Sequence, residues 1–282
     1  MKIIVLNSTN LNPQNPNNNE LIYTFPGGGV NLSNWEVAVA SIKMYYCWFN
    51  INSTQYNNAT FSYTWFDGVT YVVNLPDGYY KAEDLNAYLQ YVFTQNGHYM
   101  LDSTQNQIFF ISIQTNPTYY AIQFTFTPLS ATLAAQWTKP SGATWNVPAS
   151  AQTPFIIIPN NSFTDIVGFK AGQYPSTAQA STYSVNSSYC PEEEVVLSLN
   201  VTASFVNNHL AIPSNILYSF APNVDFGSRI SSDAFQYAWT DINDGTYNKF
   251  TISFLDQNFN QIKMIDKAMN VTLVLREKQK NN

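Results

Sequence analysis

Few side chains in this sequence can do chemistry, and their spacing argues against an active site. The 282 residues include two histidines, His98 and His209, and two cysteines, Cys47 and Cys190. The histidines lie far apart, and neither stands in a metal-ligand spacing such as H-E-x-x-H. Each reads as an ordinary strand-end or loop residue. Cys47, within Tyr46-Cys47-Trp48, has a strand context in which cysteine behaves as a small apolar group. A bridge to Cys190 is conceivable, but spacing alone does not decide it. A cysteine nucleophile would also need a positioned histidine. Asp67, Asp77, Asp241 and Asp244 are the carboxylates that could pair as in a glycosidase. Asp67, Asp77 and Asp244 each precede a glycine, which is turn chemistry. The segment Asp241-Ile242-Asn243-Asp244-Gly245 starts like a calcium loop but lacks the alternating ligands and the Glu at its twelfth position. It reads as a turn. The expectation is no enzyme, no metal and no cofactor.

The elements that would have to position any site are strands. Phe61, Tyr63 and Trp65 alternate with polar residues, as do Ile122, Phe124 and Phe126. Val195, Leu197, Leu199, Val201, Ala203 and Phe205 share one parity; so do Phe250, Ile252 and Phe254, and Val271, Leu273 and Leu275. Period-2 alternation reads as half-buried strand. Further strands are expected at 20–25, 35–49, 69–75, 98–101, 107–113, 154–158, 163–169, 215–220 and 235–240. About a dozen strands separated by turn signals imply a sandwich or a barrel. One helix is expected at 82–95, where Leu85, Tyr88, Leu89, Val92 and Phe93 form one face. Glu83 and Asp84 occupy its first turn and Gly97 follows it. The stretches 129–153 and 170–190 read as surface excursions.

Composition narrows the function. Charged residues make up 11% of the chain, against about 25% in an ordinary globular protein. Aromatics reach 16%, and 34 asparagines keep the surface polar without charge. A net charge of -6 with 12 basic residues is a poor match to phosphate-driven nucleic-acid binding. No stretch approaches 18 apolar residues, so no membrane-spanning helix is expected. The apolar run Ile3–Leu6 is too short for a signal-peptide core, and classical secretion is not expected. The basic residues are uneven: Lys249, Lys263, Lys267, Arg276, Lys278 and Lys280 fall in the last 34 positions. They read either as a polar end to the last strand or as a basic inner surface facing nucleic acid or an acidic neighbour.

Several of these segments together resemble a viral family. Leu75-Pro76-Asp77-Gly78-Tyr79-Tyr80, running into Glu83-Asp84-Leu85-Asn86-Ala87-Tyr88-Leu89-Gln90, resembles a strand-turn-helix signature of capsid proteins from virophages and related small double-stranded DNA viruses. Asn96–Met100, Phe163–Phe169 and Pro213–Phe220 fit the same picture. Phe250–Gln257 and Val271–Arg276 resemble the last paired strands of a jelly-roll capsid subunit. Asn258-Phe259-Asn260 departs from it, standing where a Gly-containing turn is expected.

The length is similar to that of the family's single jelly-roll penton (minor capsid) proteins. The resemblance therefore implies an all-β fold: a single jelly-roll β-sandwich with an inserted β-rich domain and one α-helix. Residues 1–70 and 191–282 are expected to form the jelly roll, and 71–190 an inserted outer domain carrying the helix. The implied function is structural: a homopentamer at the five-fold vertices of an icosahedral virion, touching the major capsid protein and possessing no membrane span. Localisation would be the virion, assembled in the host cell. A host receptor and a genome contact are open partners. Trp137, Trp145, Tyr174 and Tyr183, in loop-like segments, are candidate interface anchors, with local packing as the alternative. Lys263, Lys267, Arg276 and Lys278 are the candidate inner basic surface. The alternative function is a β-sandwich carbohydrate- or receptor-binding module on a virus surface, with exposed tryptophans stacking on sugar rings.

Overall fold

The computed structural model describes residues 1–188, 195–200 and 213–278, together with the backbone pair 205–206. The chain divides into two compact units, Met1–Trp48 with Glu193–Asn282, and Phe49–Glu192.

In chain order, the first unit opens with β1 (Lys2–Asn7), β2 (Glu20–Thr24) and β3 (Trp35–Tyr45). The second contributes β4 (Thr60–Thr64), β5 (Thr70–Asn74), α1 (Ala82–Asn96), β6 (Ile111–Asn116), β7 (Ala121–Phe126), β8 (Phe155–Ile158), α2 (Phe163–Val167), β9 (Gly172–Tyr174) and β10 (Tyr183–Asn186). The first unit then resumes with β11 (Val195–Leu199), β12 (Ile216–Phe220), β13 (Arg229–Asp233), β14 (Thr240–Asp241), β15 (Lys249–Asp256) and β16 (Met269–Glu277).

The first unit is a jelly roll by its strand pairing. One sheet runs β1-β16-β3-β13, with β14 also on β3; the other runs β12-β11-β15-β2. Leaving out the short β14, the first strand pairs with the last, the second with the next to last, β3 with β13, and β11 with β12, all antiparallel. A long hairpin rolled onto itself gives this nesting, which closes two Greek keys into a two-sheet sandwich. The alternating residues supply its core. Leu6, Val37, Ile42, Val271, Leu273 and Leu275 come from one sheet; Leu21, Val195, Leu197, Phe250, Ile252 and Phe254 come from the other, all nearly inaccessible to solvent. Fully burying one such side chain contributes roughly 1.5–3 kcal/mol.

The second unit is inserted between β3 and β11. It holds a β10-β7-β6 sheet and a β9-β8-β4-β5 sheet. Its core joins Phe61, Tyr63, Phe124, Phe126, Ile156 and Phe163 to Leu85, Leu89 and Phe93 of α1. The helix starts without a capping hydroxyl. Instead the Asp84 carboxylate accepts from the Lys81 backbone N–H at 2.9 Å. Gly97 ends it at φ 66, a left-handed conformation that costs a non-glycine residue about 1–2 kcal/mol. Glu83 and Asn86, on the turn above, accept from the Thr115 and Ile113 amides and so hold α1 to β6.

Several expectations change. The first boundary lies at 48/49 and not near 70, because β4 pairs with β8 within the insert and β5 pairs with β4. Alternation announces a strand but not which sheet it joins. Within the expected strand 163–169 the chain instead forms the short helix α2, ended by Gly168 at φ 68, although the apolar content suits a strand. In the expected excursion 170–190 the chain forms β9 and β10, while the strand expected at 235–240 shrinks to the two residues of β14. The departure at Asn258-Phe259-Asn260 is resolved by side-chain capping. Asp256 accepts from the Asn258 and Asn260 amides at 2.8 Å each, and Phe259 takes φ 64 in place of a glycine.

Candidate functional site

The four candidate carboxylates are spent on structure and do not converge. Asp67 accepts from the Val69 amide and the Tyr71 hydroxyl at 2.9 and 2.8 Å. Asp77 holds the Ser53 amide at 2.7 Å. Asp244 accepts from the Asn34 amide, and Asp241 pairs with Lys278. The first two belong to the insert and the last two to the jelly roll. Among the described residues no group of three or more His, Cys, Asp or Glu could hold a metal ion. Cys47 is buried just beyond β3, where its sulfur accepts from the Asp266 amide at 3.3 Å. Burial pushes its thiol pKa up, away from nucleophilic use. Cys190, His209 and Lys280 lie outside the described residues.

His98 is the residue that the sequence undervalued. It is 3% exposed and sits in the insert's aromatic core. Its ring stacks on Trp65 at 4.7 Å and meets Tyr71 edge-on at 4.6 Å. Tyr63, paired through β4 with β5, brings its hydroxyl to 2.8 Å from His98 Nδ1, and Asn96 at the end of α1 donates to the same hydroxyl at 2.8 Å. With Asn96 as donor, the hydroxyl proton points at Nδ1, so the imidazole is neutral with its hydrogen on Nε2. Burial lowers its pKa to about 4, opposed only in part by the Asp67 charge. Desolvation likewise drives the Tyr63 hydroxyl pKa well upward. Trp65 is held by packing, since its Nε1–H finds no hydrogen-bond partner. The arrangement is a packed core polar pair and offers no open face to a substrate. The one sequence signal for it was proximity to the end of a helix and to Gly97.

The four interface candidates all turn toward the insert's own core. Trp145 is 4% exposed, donates its Nε1–H to the Gly97 carbonyl at 2.7 Å and meets Trp65 edge-on at 5.4 Å. It is therefore corrected to a core residue, unavailable to a partner or a sugar. Its segment lacks regular structure, yet the indole fills the space beside α1's C-terminus. Trp137 is half-buried against Phe110, Tyr174 against Phe169, and Tyr183 against Phe126.

The basic candidates do not make one surface. Lys263 and Lys267 precede β16 and are exposed, whereas Arg276 and Lys278 stand at its far end. Nine strand residues span roughly 25–30 Å. Arg276 pairs with Glu36 on the adjacent β3 and lies 4.0 Å from the centroid of the Trp239 ring. Lys278 pairs with Asp241 at 2.8 Å. Two of the four charges are thus matched by local acids.

The class these features define is a single jelly-roll sandwich carrying a β-rich insert, with no assembled catalytic constellation among the described residues. Among solved structures, a crystal structure of the selenomethionine-labelled mavirus penton protein is similar over 98% of this chain and 99% of that chain, with a TM-score of 0.49 and 10% identity. At that distance no residue-by-residue correspondence follows. No family model and no curated protein matches the sequence.

Proposed function

We propose that this chain is a structural capsid protein: a penton that forms homopentamers at the five-fold vertices of an icosahedral virion, beside the major capsid protein. The observation that carries the reading is the nested strand pairing of the first unit, a rolled-up eight-strand sandwich interrupted after β3 by a compact insert. Jelly rolls of this kind serve as shell subunits, and also as lectin and cupin domains. The choice among these rests on the site chemistry. Among the described residues the four candidate carboxylates, Cys47 and His98 are each committed to turns, ion pairs or core, which suits a wall better than a catalyst.

A closed ring of identical subunits needs heterologous side contacts. Low charge and uncharged polar side chains make such contacts less costly to desolvate. Localisation to the virion follows from this reading. Of the four basic candidates, Lys263 and Lys267 are exposed and offered to a neighbour or the genome. Light scattering on the purified full-length chain, with electron micrographs of the same sample, tests the proposal. Five-fold rings, alone or with the co-expressed major capsid protein, are expected. A strict monomer at high concentration that fails to join such assemblies would overturn it.

A further inference from the structure

The insert carries a sheet edge that is open and unusually undefended. β5 is the last strand of the β9-β8-β4-β5 sheet. Its register on β4, together with the bonds Trp65 N–H to Val69 carbonyl and Leu75 N–H to Ala59 carbonyl, makes the odd-numbered residues the hydrogen-bonded pairs. The amides and carbonyls of Thr70, Val72 and Asn74 therefore point outward. The Asn74 carbonyl accepts from the Tyr88 hydroxyl at 2.8 Å, which closes one end of the run. Val72 is 61% exposed and Val69 50%.

Two other edges in the insert are managed. The β6 amides of Ile113 and Thr115 are capped by Asn86 and Glu83 from α1. β9 is three residues long and runs into Pro175. Natural edges are blunted by charge, proline, bulges or such covers because an open row of N–H and C=O groups recruits another strand. From Gly68 to Pro76 there is no charged residue, no interior proline and no break in register. The nearest charges along the sequence are two exposed carboxylates, Asp67 and Asp77, that flank the edge.

We propose that the outer edge of β5 is a strand-addition site that takes an extended peptide segment, uncharged in its middle and carrying Lys or Arg at both ends. Backbone hydrogen bonds to Thr70 and Val72, and to the N–H alone of Asn74, whose carbonyl is taken by Tyr88, align the segment. Its apolar side chains lie beside Val72 on the exposed face. The flanking aspartates select basic ends about six to eight residues apart, given roughly 3.4 Å per residue. The same pair disfavours a second copy of this chain, because an antiparallel two-fold through Val72 sets Asp67 of one copy against Asp77 of the other. The site is independent of the capsid reading and stands if that reading fails.

The test uses the full chain and a fluorescent octapeptide of alternating Thr and Val with Lys at each end, measured by anisotropy at low salt. Saturable binding is expected. Replacing the terminal Lys with Glu should weaken it about tenfold or more. Methylating the peptide nitrogens that face the edge should abolish it. Val72→Pro should do the same, since the Val72 N–H points away from β4 and its loss leaves the β4 ladder intact. The methylated peptide keeps the test sound should Val72→Pro fail to fold. Absence of binding at millimolar peptide, or binding indifferent to methylation, would overturn the proposal. So would self-association of the chain that Val72→Pro abolishes, because the occupant would then be a second copy.

Discussion

Acid should loosen the insert through His98, with a calculable magnitude. In the folded chain the imidazole is neutral and its pKa is held near about 4 by burial, whereas an unfolded chain titrates near the ordinary 6.5. Above pH 6.5 both states carry a neutral ring and stability is unaffected. As pH falls from 6.5 toward 4 only the unfolded state takes up the proton, so folding is progressively disfavoured. The loss levels off below the folded pKa. The full effect is roughly 3 kcal/mol, of which about 2 kcal/mol is felt by pH 5. A buried, 3%-exposed ring needs no discount for solvent screening.

The groups facing it are Tyr63, Tyr71, Trp65 and Asp67, and only Asp67 supplies a charge that opposes the shift. The assay is urea unfolding at pH 7 and pH 5, followed by tryptophan fluorescence, for the natural chain and for His98→Phe. The variant starts less stable by about 1–3 kcal/mol, because the Tyr63 hydroxyl loses its acceptor. Its further loss on going to pH 5 should be smaller by roughly 2 kcal/mol than that of the natural chain. His209 contributes equally to both and cancels. An identical pH dependence in the two proteins, or an NMR titration of His98 near 6.5, would refute the reasoning.

Trp145→Ala should destabilise the insert by about 3–5 kcal/mol even in a monomeric preparation, read as an earlier unfolding transition; an effect confined to the assembled state would restore Trp145 as an interface anchor. Gly97→Ala should cost about 1–2 kcal/mol, since a methyl there meets only ordinary contacts at 3.8 Å and the penalty is backbone alone; melting curves check it. Asp67→Asn should lower the Tyr71 phenol from about 12 toward its ordinary value, burial being the larger and Asp67 the removable cause. Tyrosinate would form at lower pH in a ring-labelled NMR titration. Arg276→Ala should cost only about 0.5–1 kcal/mol, less in high salt, because the guanidinium is 45% exposed; chemical denaturation at two salt concentrations reads it.

The strands of the jelly roll were legible because their cores obey period 2. Phe250, Ile252, Phe254, Val271, Leu273 and Leu275 alternate in the sequence and are all buried. The helix was legible because five apolar residues fall at 3.6-residue spacing and a glycine follows. These signals are local: they depend on neighbours a few positions away. The fate of a side chain in an irregular segment is not local. Trp145 and Trp137 sit in similar Ala/Thr/Ser/Pro surroundings, yet one is buried and the other half-buried, since the partners Trp65, Gly97 and Phe110 are brought up from elsewhere in the chain.

By itself, then, the sequence determined the all-β class, the helix, the low-charge surface and the poverty of catalytic side chains. Those are properties of residue type and short spacing. Tertiary structure alone decided which sheet β4 and β5 join, that the break falls at residue 48, that His98 is a neutral core partner of Tyr63, and that Arg276 and Lys278 answer Glu36 and Asp241 across the strands. Each of these depends on contacts between residues tens to hundreds of positions apart. Pattern along the chain says that a strand has a buried face but carries no record of what will cover it.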